Sequence, residues 1–389
     1  MTGRRAAIIV LDGLGIGPAP DTAAYGDEGS DTLGNVARAV GGLSLPNLER
    51  LGLGMDRPIP GLAPLVSPSA AHGVAQPASP GKDSTTGHWE ICGVLLERPF
   101  RTYPHGFPPA LLDEFARRTG RGWLGNTAAS GTAIVAELGA DHQRTGRWIV
   151  YTSADSVFQV AAHEETVPLE ELYGACALAR EILMGEHAVS RVIARPFAGP
   201  PGAYRRTAHR KDFSIAPVGT TLLDRLADRG VRRVGIGKVD DLFAARNITS
   251  EHTPTNADAY RRIERALDEL DAGFVFVNVI EFDQTWGHRN DVTGFHQGLR
   301  ELDGWVPRLV ARLRPDDLVI LTADHGNDPT TPSTDHSREV VPVLVVGPRV
   351  RPAALGVRRT FADLGQTVAE YFGAERLAAG TSFLGEVWA

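Results

Sequence analysis

Three aspartates and three histidines in this chain share one kind of position, each in the stretch that follows a short apolar run. Asp12 follows Ala6–Leu11. Asp283 and His288 follow Phe274–Ile280 and lie five residues apart, across Gln-Thr-Trp-Gly. Asp324 and His325 are adjacent after Leu318–Thr322, and His336 comes eleven residues after His325. Six such groups fit two metal ions with three protein ligands each, leaving open positions for phosphate oxygens and water. Carboxylate and imidazole ligands without thiolate suit Mn²⁺ or Zn²⁺, and Mg²⁺ suits the more oxygen-rich site. Two metals ~4 Å apart clamp both oxygens of an in-line phosphoryl displacement. Any one of these residues alone reads as a cap, a turn or a surface group; the joint pattern points to chemistry. Asp324-His-Gly is the most specific piece, because glycine permits a sharp turn beside a ligand.

A second constellation is Gly81-Lys-Asp-Ser84-Thr-Thr-Gly87-His88-Trp-Glu90. A hydroxyl between glycines and near a lysine is a candidate nucleophile or phosphate acceptor. A metal lowers the alcohol's pKa and removes the need for a histidine base. The plainer reading is a helix start, with Ser84, Thr85 or Thr86 as the N-cap and Glu90 near the first turn. Both can hold, since a helix N-terminus also favours a phosphorylated side chain. The chemistry alone does not choose among the three hydroxyls.

These groups need a scaffold. Apolar runs rich in Val and Ile recur, each ending at polar residues: Ala6–Leu11, Trp148–Tyr151, Val234–Gly237, Phe274–Ile280, Leu318–Thr322 and Val341–Val346. Near-continuous apolar strands between helical segments indicate a mostly parallel sheet covered on both faces, in an α/β fold. Ala257–Leu270 and Val292–Leu313 carry apolar residues at helical spacing and read as covering helices. In open α/β sheets, ligands bind beyond the carboxyl ends of the strands. Asp12, Asp283 and Asp324 are expected there, and Lys238 ends a core strand.

The middle of the chain differs, being richer in Pro, Gly and aromatics. Pro99, Pro104, Pro108 and Pro109 crowd its start; Pro196, Pro200, Pro201 and Pro217 crowd its end. This predicts an inserted α/β domain over 100–215, within a discontinuous core of 1–99 and 216–389. The linkers fall near 98–103 and 213–217. Pro58–Pro80 reads as a Pro/Ala/Ser-rich surface loop.

Composition bounds the rest. The 389 residues are 42% apolar and 22% charged, as in a globular protein of two domains. A net charge of −7 and a pI near 6.0 argue against a nucleic-acid binder. Cys92 and Cys176 are too few for a disulfide framework or a zinc cluster and read as buried thiols in a reducing cytoplasm. No membrane span or signal-peptide core is expected, so the protein reads as soluble and cytoplasmic. Only Lys82, Lys211 and Lys238 are lysine, against 37 arginines. The retained lysines are expected where a compact ammonium is needed and not a planar fork.

The motifs taken together resemble the bacterial phosphopentomutase family of the alkaline phosphatase superfamily. They are Val-Leu-Asp12-Gly-Leu-Gly-Ile-Gly, Gly-Ser-Asp31-Thr-Leu-Gly-Asn, Pro46-Asn-Leu, the Gly81–Glu90 stretch, Tyr151-Thr-Ser-Ala-Asp-Ser, Arg191-Val-Ile-Ala-Arg-Pro-Phe, Phe282-Asp-Gln-Thr-Trp-Gly-His-Arg and Thr322-Ala-Asp-His-Gly-Asn-Asp. The likeness runs from about residue 6 to Phe383-Leu and includes the middle domain. It implies an alkaline-phosphatase-like core with a smaller inserted cap domain that closes over the substrate. It also implies two Mn²⁺ per chain. Asp12, Asp324 and His325 would hold one, and Asp283, His288 and His336 the other. The family's nucleophile falls on Ser84, where the family usually has threonine; the serine keeps the hydroxyl, and Thr85 competes for the role. Ser153 and Asp155 would face the pentose, and Arg191, Arg206 and Lys238 would bind the distal phosphate.

The implied activity interconverts (deoxy)ribose 1-phosphate and (deoxy)ribose 5-phosphate through a phosphoserine and a bisphosphate. Glucose 1,6-bisphosphate or ribose 1,5-bisphosphate would act as activator. The implied partners are small sugar phosphates, with no nucleic acid and no membrane, and the protein would be a monomer. The competing readings are a cofactor-independent phosphoglycerate mutase, a metal-dependent phosphatase of the same superfamily, and a catalytically silent metal-binding protein. The six retained ligands and a hydroxyl argue against the last.

Overall fold

The computed structural model describes residues 3–153 and 156–389. The chain divides into two compact units, Met1–Pro99 with Pro217–Ala389, and Phe100–Ala216.

The first unit is built on an eight-stranded sheet. Its order is Ser250–Glu251, Arg233–Ile236, Gly273–Val279, Arg5–Leu11, Asp317–Thr322, Val341–Val346, Ala71–Ala75, Ala354–Arg358. The first five strands run parallel. Arg5–Leu11, Gly273–Val279 and Asp317–Thr322 are buried at every position, which is why they read as apolar runs without alternation. The α/β class and the largely parallel sheet are as expected.

Two expectations about this sheet are corrected. Val341–Val346 is antiparallel to both its neighbours; an apolar run fixes burial but carries no information on direction. The supposed loop Pro58–Pro80 contains Ala71–Ala75, a fully buried strand. Its Ala-His-Gly-Val-Ala text is too small and too mixed to show a strand period, and Gly73 is needed because the Gly356 carbonyl lies against it.

Register explains why the acids converge. Leu11 pairs with Val279, and Val10 with Thr322. Asp12 is therefore one residue past the common strand end, and its amide still donates to the Val279 carbonyl at 3.1 Å. The other end of the same strands is pinned by a buried pair. Arg5 Nε donates to Asp317 Oδ1 at 2.8 Å, and its remaining nitrogens reach the carbonyls of Leu267, Leu270 and Arg312. A buried cation persists only when its donors are satisfied in this way. The covering helices are Asn256–Glu269, capped by the Thr255 hydroxyl, and Val292–Val310, capped by Asp291. The second stops three residues short of the expected Leu313.

The second unit has a sheet of six strands. Trp123–Ala128, Trp148–Thr152, Val157–His163 and Arg191–Ala198 are neighbours in that order, and Arg205–Arg206 and Lys211–Ser214 both pair antiparallel with the last. One face packs Trp148, Val150, Phe158 and Val160 with Phe115, Leu172 and Cys176 of the helices Pro109–Thr119 and Leu169–Ile182. The other packs Ile149, Tyr151 and Phe197 against Ile134 and Val135 of Gly131–Thr145. Both cysteines are buried and free, and burial pushes both thiols up. Among the described residues no helix is long and apolar enough to cross a membrane.

Candidate active site

All six expected ligand residues lie in the first unit, beyond the carboxyl ends of its central strands. Asp12, Asp283, Asp324, His325 and His336 are buried; His288 is partly exposed. Asp12, Asp324 and His325 form one compact group, and Asp283, His325 and His336 another, with donor atoms in each lying within 4.8 Å of one another. His325 thus stands between the groups. His288 belongs to neither compact group but lies beside the second, with Nε2 3.4 Å from Asp283 Oδ1. The segment that links those two residues, Phe282–Trp286, winds as a single π-helical turn, a local form found mostly at functional sites.

The polar partners orient these groups inward. His325 Nδ1 lies 3.1 Å from the Gly326 carbonyl, and His288 Nδ1 lies 2.6 Å from the Thr334 carbonyl. With Nδ1–H donating to a carbonyl, Nε2 of each ring is the ligand atom, the usual arrangement behind a metal-bound imidazole. Asn278 Nδ2 donates to Asp12 Oδ2 at 3.1 Å, and Asn327 Nδ2 to Asp283 Oδ1 at 2.7 Å. Gly13 donates its amide to Asp324 Oδ1 at 3.2 Å. Asp324 Oδ2, by contrast, is buried and accepts no hydrogen bond, although His88 Nδ1 lies 3.1 Å away and His325 Nε2 3.5 Å.

The electrostatics follow from three carboxylates packed together out of water. Burial pushes the Asp12 carboxyl up, but Lys238, 3.2 Å from Oδ2, and His325 more than offset it and hold Asp12 well below the usual carboxylate range. Burial works the same way on Asp283, and His336 and His288 overcome it. Burial disfavours an imidazolium at His325, yet Asp324 and Asp12 push the ring up to about 10. Positive charge is in demand here. An orphaned buried carboxylate oxygen, inward imidazole nitrogens and a thiolate-free oxygen and nitrogen donor set fit divalent cations well.

Ser84 is the first residue of the helix Ser84–Ile91. The N-cap is Asp83, whose side chain accepts from the Thr86 amide at 3.1 Å, so none of the three hydroxyl residues caps the helix as the plainer reading had it. That frees Ser84: its Oγ donates to Asp12 Oδ1 at 3.3 Å and lies 3.2 Å from His325 Nε2. Thr86 gives its hydroxyl to Asp83 Oδ2, and Thr85 is buried. Gly87 lets the helix reach the cluster, because a Cβ there would overlap the Asp324 backbone. Glu90 is not part of a capping box. It accepts from the amides of Ala78, Ser79 and Phe361 and the Thr360 hydroxyl, tying two loops together.

The other expected residues are placed as follows. Lys238 lies two residues past the Arg233–Ile236 strand and is held against Asp12. Lys82 pairs with Asp27 at 2.8 Å, and Lys211 stacks over Tyr173 and Phe213. In the second unit, Arg191 lies 3.6 Å from Asp212, and Arg206 Nη2 donates to Thr132 at 3.3 Å. Ser153 sits just past Trp148–Thr152; Asp155 lies outside the described residues.

Several site residues were not singled out from the sequence. Asn278 had a signal, a lone amide in Phe-Val-Phe-Val-Asn-Val. Arg338 had none among so many arginines. It is buried and donates to the carbonyls of Pro77, Ser79 and Gly81, fixing the segment that leads into Ser84. Gly326 was expected for its turn, but its φ is not left-handed; it is needed because a Cβ would overlap the carboxylate of Glu339.

A family model, the metalloenzyme superfamily, matches residues 4–376. A phosphopentomutase of Anaeromyxobacter sp. (strain K) is 59% identical over 386 residues, covering 99% of both chains. A phosphopentomutase of Carboxydothermus hydrogenoformans is 53% identical with the same coverage. Among solved structures, the PH0037 protein from Pyrococcus horikoshii aligns over 97% of this chain and 100% of its own, with a TM-score of 0.50 at 16% identity, a likeness of fold. Identity above one half from end to end, on a scaffold that sets a serine hydroxyl against Asp12 and His325 of an acid and imidazole cluster, decides the matter: the chain belongs to the phosphopentomutase family of the metalloenzyme superfamily and is an isomerase.

Proposed function

We propose that this protein interconverts ribose 1-phosphate and ribose 5-phosphate, and the 2-deoxy pair, through a phosphorylated Ser84. The observation that carries the reading is the Ser84 hydroxyl, set 3.3 Å from Asp12 and 3.2 Å from His325 inside a buried acid and imidazole cluster. Asp12, Asp324 and His325 would hold one Mn²⁺, and Asp283, His288 and His336 a second. When bound, the ions supply the positive charge that phosphoryl transfer needs and lower the serine hydroxyl's pKa.

The chain's own groups do the rest. Phosphoserine 84 gives its phosphoryl group to the free hydroxyl of the pentose monophosphate; the P–Oγ bond breaks and a new P–O bond forms on the sugar. The resulting bisphosphate turns round. Ser84 Oγ, carrying the proton that the sugar hydroxyl gave up in the first transfer, then takes the other phosphoryl group, and that proton passes to the sugar oxygen whose P–O bond breaks, leaving it a hydroxyl. Asp83 caps the helix that Ser84 begins, and the amides of its first turn would favour a phosphorylated Ser84. Lys238 would serve as a point charge for phosphate, and Arg191 and Arg206 as planar forks for the distal phosphate. Ser153 and Asp155 would meet the pentose. The second unit would act as a cap that keeps water from the phosphoserine. A trace of glucose 1,6-bisphosphate or ribose 1,5-bisphosphate would phosphorylate Ser84 at the start. We also read the enzyme as cytoplasmic and monomeric.

Phosphorus NMR of the protein with ribose 1-phosphate, Mn²⁺ and a trace of glucose 1,6-bisphosphate tests the reading. The expected result is growth of the ribose 5-phosphate signal without free phosphate. Growth of free phosphate would make the protein a phosphatase, and no change would overturn the pentose assignment.

A further inference from the structure

Glu339 is 1% exposed and lies three residues beyond His336. Among the described residues no cation pairs with it; four neutral donors satisfy it instead. Oε2 accepts from the amides of Gly17 at 3.1 Å and Thr32 at 2.9 Å. Oε1 accepts from the hydroxyls of Thr32 and Ser337, each at 2.7 Å. Burial pushes this carboxyl up to about 7, against the downward pull of those bonds. An isolated buried carboxylate is a costly group, and an apolar side chain would fill the space at less expense.

What the carboxylate joins gives the reason for it. Gly17 closes the loop that begins at Asp12. Thr32 opens the helix Thr32–Ala39. Ser337 belongs to the loop that carries Asp324, His325 and His336, and it is bridged to Gly326 by two backbone hydrogen bonds, at 3.0 and 2.7 Å. The connection reaches the remaining ligands as well. The Thr32 hydroxyl accepts from the Asn327 amide at 3.1 Å, and Asn327 Nδ2 donates to Asp283. A Cβ at Gly15 or at Gly326 would overlap the Glu339 oxygens, so a glycine in each of two ligand loops is shaped around this one group. Glu339 hydrogen-bonds none of the six ligand side chains, yet it is bonded to the loop after Asp12 and to the loop around Asp324–His336, and it reaches Asp283 through Thr32 and Asn327.

We propose that Glu339 is a positioning residue for the metal pair, a buried carboxylate that holds the ligand loops after the first strand and around Asp324–His336 in one register. The inference rests on the two-metal reading above. Partners one layer behind metal ligands typically change metal affinity by 10–100-fold when lost.

The test is Mn²⁺ titration of the full chain, with free Mn²⁺ read by its electron paramagnetic resonance signal. The parent protein is compared with Glu339→Gln, which keeps the shape but removes the charge and two of the four acceptances, its N–H₂ facing either the Gly17 and Thr32 amides or the Thr32 and Ser337 hydroxyls, which must then turn to accept. The expected result is an apparent Kd for Mn²⁺ raised about 10–100-fold, with mutase activity recovering at saturating Mn²⁺. A Glu339→Gln protein that folds, by circular dichroism, and binds Mn²⁺ within twofold of the parent overturns the proposal. If that variant does not fold, Ser337→Ala and Thr32→Val each remove one hydroxyl from the network. A weakened Mn²⁺ affinity in both supports the proposal, and an unchanged affinity in both overturns it. A parent protein that takes up no Mn²⁺ sinks the two-metal reading itself, a result separate from any difference between variants.

Discussion

The Ser84 hydroxyl is placed by the way its helix begins. It is aimed at Asp12 and His325 because Asp83, not Ser84, caps the helix. Ser84→Ala is therefore expected to fold and to lose mutase activity by on the order of 10⁴-fold or more, as when a nucleophile is deleted. It should also fail to take up a phosphoryl group from glucose 1,6-bisphosphate, measured by intact-mass spectrometry. Uptake by the alanine protein would move the nucleophile to Thr85. Ser84→Thr keeps the hydroxyl and should remain active.

At the scale of elements, the second unit has its own polar joint. His142 on Gly131–Thr145 is buried; its Nδ1 lies 2.6 Å from the Arg147 carbonyl, and its Nε2 accepts the His163 amide at 2.9 Å. The second bond needs a neutral ring, because Nε2 accepts only when it carries no proton. Burial, helped by His163 and Arg121, lowers its pKa from the ordinary 6.5, against the pull of the Arg147 carbonyl. The folded state therefore favours the neutral form. The stability this joint contributes is complete above about pH 6.5 and is lost as pH falls through 6.5 toward the depressed folded value. His142→Ala should cost about 1–3 kcal/mol by leaving a buried amide and carbonyl unpaired, and should flatten that acid limb. Thermal midpoints of the full-length proteins between pH 5 and 8 check both; parallel curves for parent and variant would remove His142 as the cause.

For the whole molecule, every proposed metal ligand lies in the unit Met1–Pro99 with Pro217–Ala389, and none in Phe100–Ala216. Metal binding should therefore stabilise the first unit alone. In differential scanning calorimetry, Mn²⁺ at 100 times its Kd should add about 2.7 kcal/mol per bound ion, about 5.4 kcal/mol for the pair, to that unit's transition and leave the second unit's in place. Chelator should reverse the gain, and Asp324→Ala should abolish it. Equal displacement of both transitions would contradict a metal site confined to the first unit.

Composition along the chain marks the candidate ligand residues and the central strands. Asp12, Asp283 and Asp324 are legible because apolar runs long enough to be buried on both faces end within three residues before them, and a polar residue near such an end stands out. Burial leaves that kind of signal in composition. Relations between distant segments do not. The direction of Val341–Val346, the buried Ala71–Ala75 strand, Arg338 on the nucleophile segment and Glu339 joining three loops depend on partners hundreds of residues away. Asp83 took the cap because its carboxylate reaches the Thr86 amide, a choice that side-chain geometry makes among neighbours of similar propensity. Tertiary structure alone decided which of three adjacent hydroxyls faces the acids, and which buried carboxylates face the ligand cluster and which hold its loops in place.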